Sequence, residues 1–115
     1  MTTYRGSCHC GAVTFEFDGT LDALTTCTCS LCARRNALMH ALPEADLRIT
    51  GGRDNLTRYQ FGTGTAEHFF CRTCGIYTHH RTRRRPDYFV VNAHCLEGVD
   101  VDSLPVTVFD GRNAF

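Results

Sequence analysis

Residues 27–32 read CTCSLC and place three thiols, Cys27, Cys29 and Cys32, within six positions. Cys27 and Cys29 are too close for an easy mutual disulfide. One soft metal ion accepts both members of such a pair. Zinc is enclosed by four protein ligands in a structural site and keeps an open position in a catalytic one. Three cysteines on one loop, with no second close pair left to complete a tetrahedron, therefore predict zinc with a vacant position. Zinc and three thiolates sum to about −1, which makes the ion a modest Lewis acid that favours water or a soft thiolate as fourth ligand. On that expectation the missing ligand is the substrate. Other completions stay open: Cys95 in VNAHCLEG, His40 or His94 could close the set, and four cysteines including Cys95 would also suit an iron–sulfur cluster.

A second set joins Cys8-His9-Cys10 to Cys71-Arg72-Thr73-Cys74-Gly75. The CRTCG stretch resembles a zinc knuckle. Its spacing lets a tight turn present two thiolates with backbone N–H groups aimed at the sulfurs, and Gly75 permits the backbone angle such a turn needs. Cys8 and Cys10 supply the other half of a closed four-cysteine site. Joining segments this far apart costs roughly 3–4 kcal/mol of loop entropy. Structural zinc contributes on the order of 10–16 kcal/mol in small modules, so the metal prevails.

The chain that must position these thiols has 115 residues, and one domain over residues 1–115 is expected. Eight cysteines in a chain without a signal-type N-terminus point to metal binding rather than disulfides. No apolar run approaches the roughly 20 residues of a membrane helix, and a cytoplasmic protein is expected. Twelve arginines balance twelve acidic residues, with no lysine, which argues against a general pull towards nucleic acid or anionic membrane. Elements read as mostly β. YRGSCHCGAVTFEF predicts two strands around a turn at residues 8–11, because Val13, Phe15 and Phe17 alternate with Thr14 and Glu16. LTTC, ALMHALP, LRIT, LTRYQF, AEHFFC, IYTHH, DYFVVNA and PVTVFDG are further strands, with LTRYQF and AEHFFC forming a hairpin across Gly62 and Gly64. SLCARRN predicts one short helix with Ser30 as N-cap. The fold class expected is mainly β, in several small sheets with one or two helical turns.

The ordered motifs C-x-C-G-A-V, C-x-C-x-x-C and F-C-x-x-C-G, seen here in SCHCGAVTFEF, CTCSLC and HFFCRTCG and followed by VNAHCLEG, resemble the glutathione-dependent formaldehyde-activating enzymes, a family that includes centromere protein V-like proteins. The likeness spans roughly residues 5–98. It implies a zinc-stapled β-tent of small antiparallel sheets, a structural zinc on Cys8, Cys10, Cys71 and Cys74, and a catalytic zinc on Cys27, Cys29 and Cys32. The implied reaction condenses glutathione with formaldehyde to S-(hydroxymethyl)glutathione, or runs in reverse as a carbon–sulfur lyase on that or a related thiol adduct. The sequence departs from the family pattern in having no tryptophan and in carrying Arg34 and Arg35 where glycine-containing sequences are common.

The proton for the new hydroxyl would come from His40, His79, His80 or Asn92, with His80 favoured. His79 and His80 sit on opposite faces of one strand, so only one of them faces the site. Arg34 or Arg35 would offset the negative charge of the metal loop and bind the thiol co-substrate. Arg81, Arg83, Arg84 and Arg85 either hold substrate carboxylates or form a solvated loop. The partners expected are a small thiol and an aldehyde; the oligomeric state stays open, a homodimer among the options. A zinc-ribbon-like module that binds protein or nucleic acid without catalysis is the alternative function.

Overall fold

The structure, a computed structural model, describes residues 2–114. Its elements in chain order are β1 (Thr2–Ser7), β2 (Thr14–Gly19), β3 (Leu24–Cys27), α1 (Ser30–Arg35), β4 (Met39–Pro43), β5 (Leu47–Gly51), β6 (Leu56–Tyr59), β7 (Glu67–Cys71), β8 (Tyr77–Arg81), β9 (Tyr88–Asn92) and β10 (Val106–Phe109). Short 3-10 turns punctuate the chain, at Glu44–Asp46, Arg53–Asn55, Ala93–Cys95, Val101–Ser103 and Gly111–Asn113. The protein is mainly β, as its alternating patterns predict. Among the described residues no helix is long and apolar enough to cross a membrane.

The strands form two sheets, one of three strands in the order β1-β2-β5 and one of seven in the order β10-β3-β4-β9-β8-β7-β6. Every pairing is antiparallel except one: β10 lies parallel to β3, with Phe109 opposite Cys27. The antiparallel pairing expected of the sheets holds elsewhere, and this parallel pair is an addition to it. A chain returning from the far end of the sequence reaches β3 from the same end as β3 itself, and so brings residues 110–113 onto the CTCSLC loop.

The inward face of β2 carries Phe15 and Phe17, which are 1% and 0% exposed. They pack with Leu24, Leu42, Val91 and Leu96 into the main core between the two sheets. Each such side chain contributes about 1.5–3 kcal/mol by leaving water. Gly6 is a glycine for this reason: a Cβ there would stand 2.5 Å from the Phe15 ring.

The large sheet also carries three buried histidines, His68, His79 and His80. A cross-strand row runs His68 opposite His80, His80 opposite Val90 and Val90 opposite Ala41. The β7–β8 ladder shifts register between Phe69 and Phe70, so that Phe69 faces His79 while Phe70 faces Tyr77. The extra residue on β8 is Thr78. Such a bulge re-aims side chains, and here it turns Tyr77 onto the same face as His80, although regular alternation would put residues three apart on opposite faces.

Candidate metal centres and the adjoining cavity

Cys8 and Cys10 lie in the β1–β2 turn, and Cys71 and Cys74 in the β7–β8 turn. Their four sulfurs all lie within 4.8 Å of one another. Cys10 Sγ is 3.7 Å from Cys8 Sγ and 3.6 Å from Cys71 Sγ. A tetrahedral zinc with bonds of about 2.3 Å requires sulfurs about 3.8 Å apart, so the donor set fits zinc by type and by spacing. Each turn also aims donors at its thiolates. Val13 N–H donates to Cys8 Sγ at 3.3 Å, Cys74 N–H to Cys71 Sγ at 3.5 Å, and the Asn55 amide to Cys71 Sγ at 3.3 Å. The backbone N–H of Cys74 is the main cause that pulls the Cys71 thiol down to about 6. Gly75 closes the turn at φ 79°, with its N–H on Cys71 O at 2.8 Å. No sequence pattern announced the contact of Asn55 with this thiol.

Cys27, Cys29 and Cys32 form the second set, their sulfurs within 4.8 Å of one another. Among the described residues no fourth Cys, His, Asp or Glu joins them at that spacing. Each of the three sulfurs accepts one N–H: Cys29 N–H at 3.4 Å from Cys27 Sγ, Cys32 N–H at 3.4 Å from Cys29 Sγ, and Arg35 Nη2 at 3.3 Å from Cys32 Sγ. The helix cap is therefore Cys29, whose side chain accepts from Cys32 N–H, and not Ser30; the sulfur takes the place a hydroxyl would fill. Burial drives the Cys32 thiol up to about 12, with the Arg35 guanidinium opposing it. Three soft donors on one loop fit zinc with room for one more ligand.

The 3-10 turn Gly111–Asn113 closes over this loop. Thr28 N–H donates to Phe109 O at 3.1 Å, the Thr28 hydroxyl to Asp110 at 3.1 Å, and Arg112 N–H to the Thr28 hydroxyl at 3.2 Å. Gly111 is buried. A Cβ on it would collide with Cys27 Sγ and come within 3.1 Å of Cys29 Cβ. The sequence predicts a last strand, PVTVFDG, that runs through Asp110 and Gly111; the strand ends at Phe109, and only the parallel β10–β3 pairing reveals that Gly111 abuts the thiols.

The loop opens onto a cavity of about 730 Å³, within the usual range for small-molecule sites. Its floor is Met39, Ala41 and Val90, with His68 and His80 beside the thiols. Arg83, Arg84, Arg85 and Arg112 also line it, and among the described residues no acidic one does. Arg84 and Arg85 rest on aromatic faces, 5.0 Å above Phe109 and 4.0 Å above Tyr88. Arg81 is elsewhere: it pairs with Glu44 at 2.6 Å and Glu67 at 2.9 Å. Arg34 also lies outside the lining, its Nη1 on Ser30 O at 2.8 Å.

The same geometry sorts the other predicted residues. His79 points away from the cavity, stacked on Phe69 at 4.7 Å and edge-on to Phe89 at 5.4 Å. His40 stacks on Phe17 at 5.4 Å, on the core side. The Asn92 amide bonds Tyr77 O at 2.9 Å and its oxygen accepts from His94 N–H at 3.1 Å. Cys95 stands outside both clusters, 3.7 Å from Tyr77 O, and burial holds its thiol up at about 11. His80 Nδ1 is 2.6 Å from the Tyr77 hydroxyl. Burial foremost, then Arg35, keeps His80 neutral, its pKa well below the ordinary histidine value. Sequence patterns did not single out His68. It is 8% exposed, burial and Arg35 hold its pKa down at about 4, and its Nδ1 lies 3.0 Å from Arg35 Nη1. Arg35 also spreads its guanidinium 3.8 Å from the Tyr77 ring centre.

Among the described residues, two buried side-chain polar atoms have no hydrogen-bond partner, Arg35 Nε and His68 Nε2. A buried donor left unmade costs about 1–3 kcal/mol. Both fall beside the three-thiol cluster.

Comparison with known families decides the lineage. The model of the glutathione-dependent formaldehyde-activating enzymes matches residues 3–108. The chain belongs to this family. A crystal structure of a Rhodobacter sphaeroides protein is similar at 48% identity, with a TM-score of 0.82, over 90% of this chain and 99% of that one. The family match covers both thiol clusters, and the strands that carry them, in one continuous stretch.

Proposed function

We propose that the protein adds a small anionic thiol, glutathione or a close relative, to formaldehyde or a related aldehyde, and that in reverse it is a carbon–sulfur lyase. The observation that carries this reading is the three-thiol cluster facing a 730 Å³ cavity. The family membership and the all-arginine charge of the cavity lining support it.

Cys8, Cys10, Cys71 and Cys74 would hold a structural zinc, and Cys27, Cys29 and Cys32 a second one. Zinc at the second set would lower the pKa of an incoming thiol and keep it as thiolate near neutral pH. In the reaction the thiol sulfur forms a bond to the carbonyl carbon, the C=O π pair moves onto oxygen, and one proton ends on that oxygen. No atom changes oxidation state, and no oxidant is needed. Arg35, donating to Cys32 Sγ, offsets the charge of the thiolates. The arginines of the lining attract the substrate's carboxylates. His80 lines the cavity with its Nδ1 on the Tyr77 hydroxyl, and burial holds its pKa below the ordinary histidine value, so it would serve the reaction as a neutral imidazole.

The test measures zinc content together with the rate of adduct formation above the uncatalysed condensation. Wild type should hold two zincs per chain and accelerate the reaction. Cys29→Ala should hold one and lose the acceleration. A variant that keeps both zincs and full activity would remove Cys29 from the site.

A further inference from the structure

Resting on that functional reading, we propose that His68 is a catalytic residue whose Nε2–H binds the aldehyde oxygen and stabilises the negative charge that develops there as sulfur attacks carbon. Arginine only donates hydrogen bonds, so the 3.0 Å contact from Arg35 Nη1 makes His68 Nδ1 the acceptor. The ring proton must then sit on Nε2. That N–H is buried and has no hydrogen-bond partner among the described residues, yet its ring lines the cavity with Cys27, Cys29, Cys32 and His80. The ring is also held in place. Phe61 lies 5.8 Å from it at 21° and His80 5.1 Å at 30°, and β7–β8 pairing fixes the backbone of both histidines opposite each other. A fixed, desolvated donor with no internal acceptor has the properties needed to meet an oxygen that gains charge only during reaction. The ligand class this selects is a thiol adduct bearing a carbonyl or hydroxyl oxygen next to sulfur, not a simple thioether. In the addition, the new C–S bond forms as the C=O π pair moves to oxygen. The proton released by the thiol then neutralises that oxygen, while His68 keeps its own.

Two measurements on the zinc-loaded full chain test this. In kinetics, His68→Leu should lower kcat for glutathione and formaldehyde about 100-fold, with KM for glutathione and zinc content unchanged. His68→Gln, which returns an N–H near the Nε2 position, should recover most of the loss. In imidazole nitrogen–proton correlation spectra of wild type, the His68 Nε2–H signal should move downfield when glutathione premixed with formaldehyde is added, and stay in place with S-methylglutathione, which lacks the oxygen. Wild-type catalysis with His68→Leu equally active, or adduct binding detected by calorimetry while the His68 signal stays fixed, overturns the assignment of His68 alone. A wild type that neither accelerates the condensation nor binds the adduct overturns the functional reading, and this inference with it. If His68→Leu fails to fold, the wild-type spectra decide.

Discussion

Position 111 has no room for a side chain. Gly111 touches the metal loop at Cys27 Sγ and lies against Cys29 as well. Its replacement forces either the C-terminal turn or the thiol cluster to move. Overpacking of this kind costs roughly 1–3 kcal/mol, and the looser partner gives way. The loop has three ligands and partial exposure. Gly111→Ala should therefore reduce zinc from two equivalents per chain to one while the far-ultraviolet circular dichroism stays that of wild type. Elemental analysis on the purified variant checks this, and two equivalents retained would show that the loop tolerates the added carbon. At this scale the sequence was legible where chemistry is local. Cysteine spacing marked both thiol sets, and Gly75 marked the knuckle turn. Gly111, Asn55 and His68 were not legible, because each acts on a partner distant in the chain.

Strand β8 is the element on which the site depends. Tyr77, Thr78, His79 and His80 are all buried, as befits a strand covered on both faces. Its alternation sends His79 to the core side and His80 to the cavity, as the two-residue period predicts. Its bulge returns Tyr77 to the cavity side, where it meets His80. The bulge depends on how β7 pairs with β8, so no pattern within β8 itself displays it. Burial of His79 has a consequence for stability. Its pKa in the fold is about 4, lowered chiefly by burial and further by Arg53, against about 6.5 in an unfolded chain. Between those values the unfolded chain binds a proton that the folded chain does not, so acid favours unfolding. The contribution is complete above pH 6.5 and is lost as pH falls towards 4. From pH 7.5 to 5 wild type should lose about 2 kcal/mol more stability than His79→Phe, by the linkage of one proton. Urea unfolding of both proteins at the two pH values, with zinc in excess, measures it. Equal losses would mean that His79 charges freely in the fold.

Across the whole molecule the two thiol sets do different work. A zinc on the four-cysteine set would tie the turn of the small sheet to the β7–β8 turn of the large one, and so hold the two sheets together. The three-cysteine set ties nothing distant; its ligands lie within one loop, and β10 with its following turn secures that loop from outside. A graded chelator titration should therefore remove one zinc first with little change in circular dichroism, and the second only together with cooperative loss of structure. A metal-sensitive dye read alongside circular dichroism follows both steps. Release of both metals in a single step with unfolding would show that the loop also contributes to global stability.

The amino-acid sequence by itself determined the two thiol sets, the strand content and the family, because all three are written in short-range spacing: thiols two or three residues apart, apolar residues at a period of two. Tertiary structure decided which residues surround the second thiol set. It turned His40 and His79 to the core side, withdrew Arg34 and Arg81 from the cavity, and brought His68, Arg35 and Gly111 to the thiols. The reason is physical. A side chain's neighbours across a sheet depend on register, bulges and the direction of pairing, and each of these is set by two strands at once.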